Sequence, residues 1–297
     1  MNVSVACIAG EEVYRQWQTG KISGKTLAPR STPFGLSAEI FQAQNDQAGY
    51  YLLPRHGLGM GKTSPGRINH RANLYALKEL GVRVILAWGP GAAVRHSIAV
   101  GDLVILSDVI DWTGHAPTFF EDSPLGFLRQ MPVFCPNLSA AVHHAIGERK
   151  LSCHGAGTAA VMPGPRFETP AEVRMLGTMG ADVVTHYFAP DVFLAKELEM
   201  CYAAVCYVVN YAETGSRHRP FATGDLFGGL TQRTDVQRLA AALSAMGPVI
   251  EAVAARVAQR TADCECYHPM DVFRKRFPLA GDGREWFRWT ARRSSTA

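Results

Sequence analysis

Asn69-His-Arg-Ala-Asn-Leu-Tyr-Ala-Leu-Lys-Glu-Leu80, then Gly81, then Val82-Arg-Val-Ile-Leu-Ala-Trp88, is the stretch that decides the fold. Ala72, Tyr75, Ala76 and Leu80 recur at helical spacing and share one face. Gly81 stands where a helix C-terminus favours glycine. The next seven residues read as a strand that ends in Gly89-Pro90-Gly91. Helix, glycine and strand in succession are the unit of an α/β fold.

The alternation extends both ways. Upstream, Val3 to Ile8 is a short strand running into a glycine turn at Ala9-Gly10, and Gly49 to Pro54 is a strand delivering Arg55-His56-Gly57. Downstream come a strand at Asp102 to Leu106 and a helix over Ala171 to Met179, with Pro170 in its favoured first-turn position. A strand at Ala181 to Val184, a helix at Pro190 to Glu199 and a strand at Tyr202 to Val209 follow, the last delivering Asn210. Val236 to Gln259, rich in Ala and Leu, reads as one long closing helix. Strand ends carry glycine and polar residues, where ligands bind in such folds. No repeat or composition break precedes about Ala262. The expectation is one α/β domain over residues 1–262 and a C-terminal tail over 263–297.

Composition narrows the function classes. Hydrophobic residues at 47% and charged residues at 19% exclude a disordered or fibrous chain. A net charge of +4 is too small to argue for nucleic acid as a partner. No apolar run approaches the ~20 residues of a membrane helix, and the N-terminus lacks a signal-peptide pattern. No membrane partner is expected, and the reading is cytoplasmic. Seven cysteines, an odd number, suit reduced thiols. Cys264-Glu-Cys-Tyr-His268 invites a metal reading, but one turn supplies every ligand and no second cluster is visible. It reads as a free-thiol segment, and no metal is expected.

Several segments together resemble the methylthioadenosine phosphorylase and purine nucleoside phosphorylase family. They are Thr32-Pro-Phe-Gly35, Pro54-Arg-His-Gly57, Asn73-Leu-Tyr-Ala-Leu-Lys78, Gly101-Asp-Leu-Val-Ile105, Gly164-Pro-Arg-Phe-Glu168, Gly180-Ala-Asp-Val183 and Ala189-Pro-Asp-Val-Phe-Leu-Ala-Lys-Glu197. They occur in family order over roughly residues 3 to 260. The resemblance implies a single-domain nucleoside phosphorylase-like fold, a central mixed β-sheet flanked by helices, assembled as a homotrimer. It also implies an enzyme that breaks the N-glycosidic bond of a purine nucleoside without metal or organic cofactor.

Cleavage of that bond develops negative charge on the departing purine, so a donor near N7 stabilises the transition state. Asn210 matches the family's base-recognising position. Methylthioadenosine phosphorylases usually carry Asp there. The 6-oxopurine enzymes carry Asn with a Glu directly after a stacking Phe, as Phe167-Glu168 here. A carboxylate accepts from N1–H while an amide faces O6 and N7. The base pocket thus resembles one for hypoxanthine or guanine. Alone, Glu168 would read as an acid at a helix start.

The phosphate site departs from the family. Its glycine-rich turn bearing Thr or Ser is here Ala9-Gly10-Glu11-Glu12, its third-strand Thr or Asn maps to about Trp88 beside Gly89, and its Met-Thr or Met-Ser pair maps to His186-Tyr187. Arg55 and His56 match. A carboxylate ~4 Å from a phosphate charge costs ~4 kcal/mol at an effective dielectric of ~20. Hydrolytic relatives in the wider superfamily carry a Glu after the first strand as general base. Glu11 or Glu12 is therefore expected to activate water, with Arg55 balancing the charge; otherwise both are turn residues or one pairs with Arg55. Water is the favoured acceptor. Phosphorolysis through a rebuilt anion site and a nucleoside-binding pseudoenzyme are the alternatives.

His186 takes the family's ribose-contacting position, with Tyr187 beside it. Asp191 replaces a Glu and suits capping of the helix it opens. His115 and His218 lie in loops within reach of the sugar's 5′ end. Phe273 to Arg293 mixes basic and aromatic residues, as in a tail that docks across a subunit or covers an opening.

Overall fold

The computed structural model describes residues 4–10, 16, 19–20, 22–44, 49–57, 63–121, 125–212, 233–258 and 264–276. Glu11, Glu12, His218 and everything past residue 276 lie outside them. The strands are β1 (Val5–Ala9), β2 (Gly24–Leu27), β3 (Ser31–Thr32), β4 (Gly35–Leu36), β5 (Ile40–Gln44) and β6 (Gly49–Pro54), then β7 (Val84–Ala93), β8 (Leu103–Asp111), β9 (Cys153–Val161), β10 (Val183–Thr185) and β11 (Cys201–Tyr211). The α-helices are α1 (His70–Glu79), α2 (Pro136–Gly147), α3 (Pro170–Thr178), α4 (Asp191–Glu197), α5 (Arg233–Ser244), α6 (Met246–Ala258) and α7 (Asp271–Arg274).

Among the described residues, nine strands form a mixed sheet in the order β10-β9-β8-β11-β7-β1-β6-β5-β2. β1 runs parallel to β6 and β7, while β11 is parallel to β7 and antiparallel to β8. β10 also pairs antiparallel with the far end of β7, at Val183↔Ala93 and Val184↔Ala92. The sheet therefore curls until β7, β11, β8, β9 and β10 close on one another.

Alternation along β1 and β7 splits the core into two layers. Ala6, Ile8, Ile85 and Ala87 join Leu74, Leu77 and Leu194 on the α1 and α4 face. Val5, Cys7, Ala9, Leu86 and Trp88 join Leu138, Val142, Met246 and Val249 on the α2, α5 and α6 face. Local signals set the helix starts. The Asn69 side chain accepts from the Ala72 amide, and Thr169 with Glu172 forms a capping box at α3.

Three readings are corrected by the fold. β7 does not end at Gly89-Pro90-Gly91 but runs through it. A Cβ on Gly91 would lie 2.5 Å from Cys206 Sγ and 3.0 Å from the Val184 carbonyl, so these glycines admit close neighbours rather than stop the strand. The closing helix is two helices, parted at Ala245. Pro248 has no N–H to give, and its ring would crowd the Ser244 carbonyl in a continuous helix. The run Thr234–Val257, with a mean hydropathy of 1.4, is long and apolar enough to cross a membrane by length and composition; here Ala242, Met246, Val249, Ile250 and Val253 pack into the core. Finally, the Cys264–Cys266 pair is not isolated. Cys135 at the start of α2 and Cys201 at the start of β11 converge on it, and all four Sγ atoms lie within 4.8 Å of one another.

Residues 264–276 pack into the body of the chain. Met270 and Phe273 join the α1 and α4 core. Arg274 Nη1 donates to Glu199 Oε1 at 2.8 Å, and its Nη2 donates to the other carboxylate oxygen.

Candidate active site

The ends of β1, β6 and β7 lie side by side, with Ala9 in register with Pro54 on one neighbour and Trp88 on the other. Arg55 leaves β6 here, its amide donating to the Ala9 carbonyl at 3.1 Å. Its side chain is only 3% exposed. Nη2 donates to the His186 carbonyl at 2.8 Å, Nε donates to His56 Nε2 at 3.4 Å, and the guanidinium lies 3.8 Å above the centre of the Tyr187 ring. Among the described residues, the buried Nη1 has no hydrogen-bond partner. His56 Nδ1 donates to the Thr63 carbonyl at 3.0 Å. Burial first, and then the Arg55 charge, lower the His56 pKa. Both contacts fit a neutral imidazole protonated on Nδ1.

β10 delivers His186 and Tyr187. The Thr185 hydroxyl donates to the Pro90 carbonyl at 2.6 Å and accepts from the Tyr187 amide at 3.2 Å, tying this turn to β7. The Tyr187 ring rests on Gly89, where a Cβ would sit 2.6 Å from Tyr187 Cδ1. Trp88, expected to crowd the anion pocket, instead faces the α2, α5 and α6 layer, fully buried. Strand pleating is the reason: neighbours on β7 face opposite sides. Gly89 is the β7 residue that meets Tyr187.

His186 Nδ1 lies 3.0 Å from the Met162 carbonyl, and its ring stacks on Phe167 with centroids 6.3 Å apart and planes 26° from parallel. Phe167 is half exposed. Thr169 and Glu172 cap α3, so Glu168 is not needed for that. Asn210 sits inside β11, just past a bulge at which the register with β7 shifts between Val208 and Asn210. A bulge re-aims the residue after it. Asn210 Nδ2 contacts the Tyr211 carbonyl at 3.4 Å. Direct contacts thus join Arg55, His56, Gly89, Tyr187, His186 and Phe167. Asn210 pairs with Ala92, three residues past Gly89 on β7.

A cavity of about 640 Å³ opens beside Arg55 and His186, within the usual range for small-molecule sites. Phe34, Arg67, His70, Arg71, His115 and Glu121 line it. Sequence reading passed over His70 and Arg71, because helix periodicity accounts for them. His70 Nδ1 lies 2.6 Å from the carboxylate of Asp191, which is buried at the first position of α4. The expected capping acid therefore holds an imidazole on the cavity wall. The two are 121 residues apart, so no local signal joins them. Arg71 Nη1 pairs with Glu121 Oε1 at 2.6 Å. Glu197 fixes the same wall, accepting from the Thr118 hydroxyl at 2.7 Å and the Phe119 amide at 2.8 Å. Burial outweighs these bonds and pushes its carboxyl up to about 7.

Known proteins resemble this chain. The family model described as the phosphorylase superfamily matches residues 37–259. A probable S-methyl-5′-thioinosine phosphorylase of Methanothermobacter thermautotrophicus is 36% identical over 70% of this chain and 71% of its own. A probable 6-oxopurine nucleoside phosphorylase of Thermococcus kodakarensis is 38% identical over 70% of this chain and 79% of its own. The crystal structure of a methylthioadenosine phosphorylase from an antarctic soil metagenomic library superposes with a TM-score of 0.77 over 91% of both chains at 24% identity, a likeness of fold.

Proposed function

This chain belongs to the phosphorylase superfamily as an enzyme of the purine nucleoside phosphorylase type, and we propose that it cleaves the N-glycosidic bond of a 6-oxopurine nucleoside and passes the sugar to phosphate. The carrying observation is Arg55. Its guanidinium is buried, its Nη1 has no partner among the described residues, and a buried donor left unpaired costs ~1–3 kcal/mol. A phosphate oxygen is the natural acceptor for it. Phe167 stacks the base, Glu168 and Asn210 grip its edge, and Asn210 donates toward N7 as charge develops there. His186 faces the ribose, and His70 and His115 line the cavity toward the 5′ end. The similarity to thioinosine and 6-oxopurine phosphorylases supports the base assignment.

One observation favours water instead. Tyr187 fills the space over Gly89 and takes one face of Arg55, where the family resemblance puts a hydroxyl on phosphate. The glutamates favoured as general base, Glu11 and Glu12, lie outside the described residues. The test is base release from inosine, guanosine and S-methyl-5′-thioinosine with and without phosphate. Turnover that stops without phosphate supports phosphorolysis and ends the water reading. Undiminished release in phosphate-free buffer overturns phosphorolysis. Nucleoside binding in calorimetry with no turnover in either buffer would leave a pseudoenzyme. The assembly we take with this reading is a homotrimer, checked by light scattering against three times the 32.3 kDa chain mass.

A further inference from the structure

Cys135, Cys201, Cys264 and Cys266 come from three separated parts of the chain, yet their Sγ atoms all lie within 4.8 Å of one another. We propose that these four thiolates hold a structural zinc ion. A tetrahedron with Zn–S bonds of ~2.3 Å sets its sulfurs ~3.8 Å apart, and sulfurs that all lie within 4.8 Å of one another are near enough to share one ion. Cys201 and Cys264 stand 3.2 Å apart, well beyond the ~2.05 Å of a disulfide. Four sulfurs gathered in one closed group match the ligand set of a structural rather than a catalytic site.

Two independent features point the same way. Cys135 occupies the N-cap of α2, a position that favours Ser, Thr, Asp or Asn. The thiol turns to the cluster, where the positive end of the helix favours a thiolate. Around the sulfurs, the Tyr267 hydroxyl lies 3.3 Å from Cys201 Sγ, and the Arg83 guanidinium lies 4.5 Å from the centre of the Tyr267 ring. A hydrogen-bond donor and a cation are suitable outer partners for an anionic zinc–thiolate centre.

The place in the fold assigns the role. Cys201 opens β11 and Asn210 lies near its other end, nine residues or ~30 Å away. The ion does not reach the glycosidic chemistry. It clamps the 264–276 segment to the starts of β11 and α2, and that segment carries Met270 and Phe273 into the core.

The test uses the full chain purified under reducing conditions without chelator. Elemental analysis is expected to find one zinc per chain, and cobalt exchanged into the wild-type protein should give the visible absorption of tetrahedral thiolate coordination. Cys135→Ser and Cys266→Ser should each lose the metal, and chelation should lower the thermal midpoint of the wild-type chain. Four free thiols with no bound metal would overturn the proposal, as would a Cys201–Cys264 disulfide found by mass spectrometry or iron found in place of zinc. The wild-type metal content decides the matter even where a variant fails to fold.

Discussion

Under the proposed function, Asn210 would separate two base specificities by one atom group, amide or carboxylate. An Asn210→Asp variant would present an acceptor to O6, so kcat/KM for inosine relative to adenosine should fall at least about tenfold, ~1.4 kcal/mol of discrimination. Steady-state kinetics on both nucleosides checks this, and an unchanged ratio removes Asn210 from the base edge. His56 and Glu197 make opposite pH claims. The imidazole titrates near 6.5 when unperturbed and lower in the fold. The unfolded chain thus binds more protons between those values, so this contribution is full above 6.5 and is lost as pH falls through the folded pKa. Glu197 is raised from 4.5 to about 7, so its contribution is full below 4.5 and is lost as pH rises to about 7. Thermal melts across that interval should show Glu197→Gln losing the alkaline decline and His56→Asn losing the acid one. Arg55, His56 and Phe167, which the structure brings together, stand in motifs read along the chain. The state of His56 was not legible, because it depends on Thr63 and on the depth of Arg55.

At the scale of elements, β7 and the turn after β10 form one unit. Gly89 exists in the space Tyr187 leaves it. Gly89→Ala alone should cost ~1–3 kcal/mol by overpacking. In combination with Tyr187→Ala much of that cost should vanish, giving a coupling energy of ~1 kcal/mol or more in urea unfolding. Additive effects would mean that the two do not share that space. Strand and helix existence was legible from apolar period and glycine, as with β6 and α1. Facing was not. Reading Trp88 into the pocket failed because a one-residue step along a strand reverses the face, and the glycines at 89 and 91 read as a stop when neighbouring side chains were the reason for them.

For the whole molecule, the C-terminal segment is the clearest case. Removing residues 264–297 would uncover the sites of Met270 and Phe273 and leave the Glu199 carboxylate without Arg274. Each buried apolar side chain contributes ~1.5–3 kcal/mol, so a loss of ~3–6 kcal/mol is expected in denaturant unfolding. An unchanged midpoint would return this segment to the status of a tail. By itself the sequence determined the α/β class and the family, and it offered the candidates for the base pocket. Those rest on short-range patterns, namely period, caps and motifs within a few residues. Only the tertiary structure decided that Tyr187 lies between Gly89 and Arg55, that Asp191 holds His70, and that four cysteines from three segments meet. Each joins residues distant in sequence, and their meeting follows from how strands β7, β10 and β11 are ordered and faced, which local pattern does not encode.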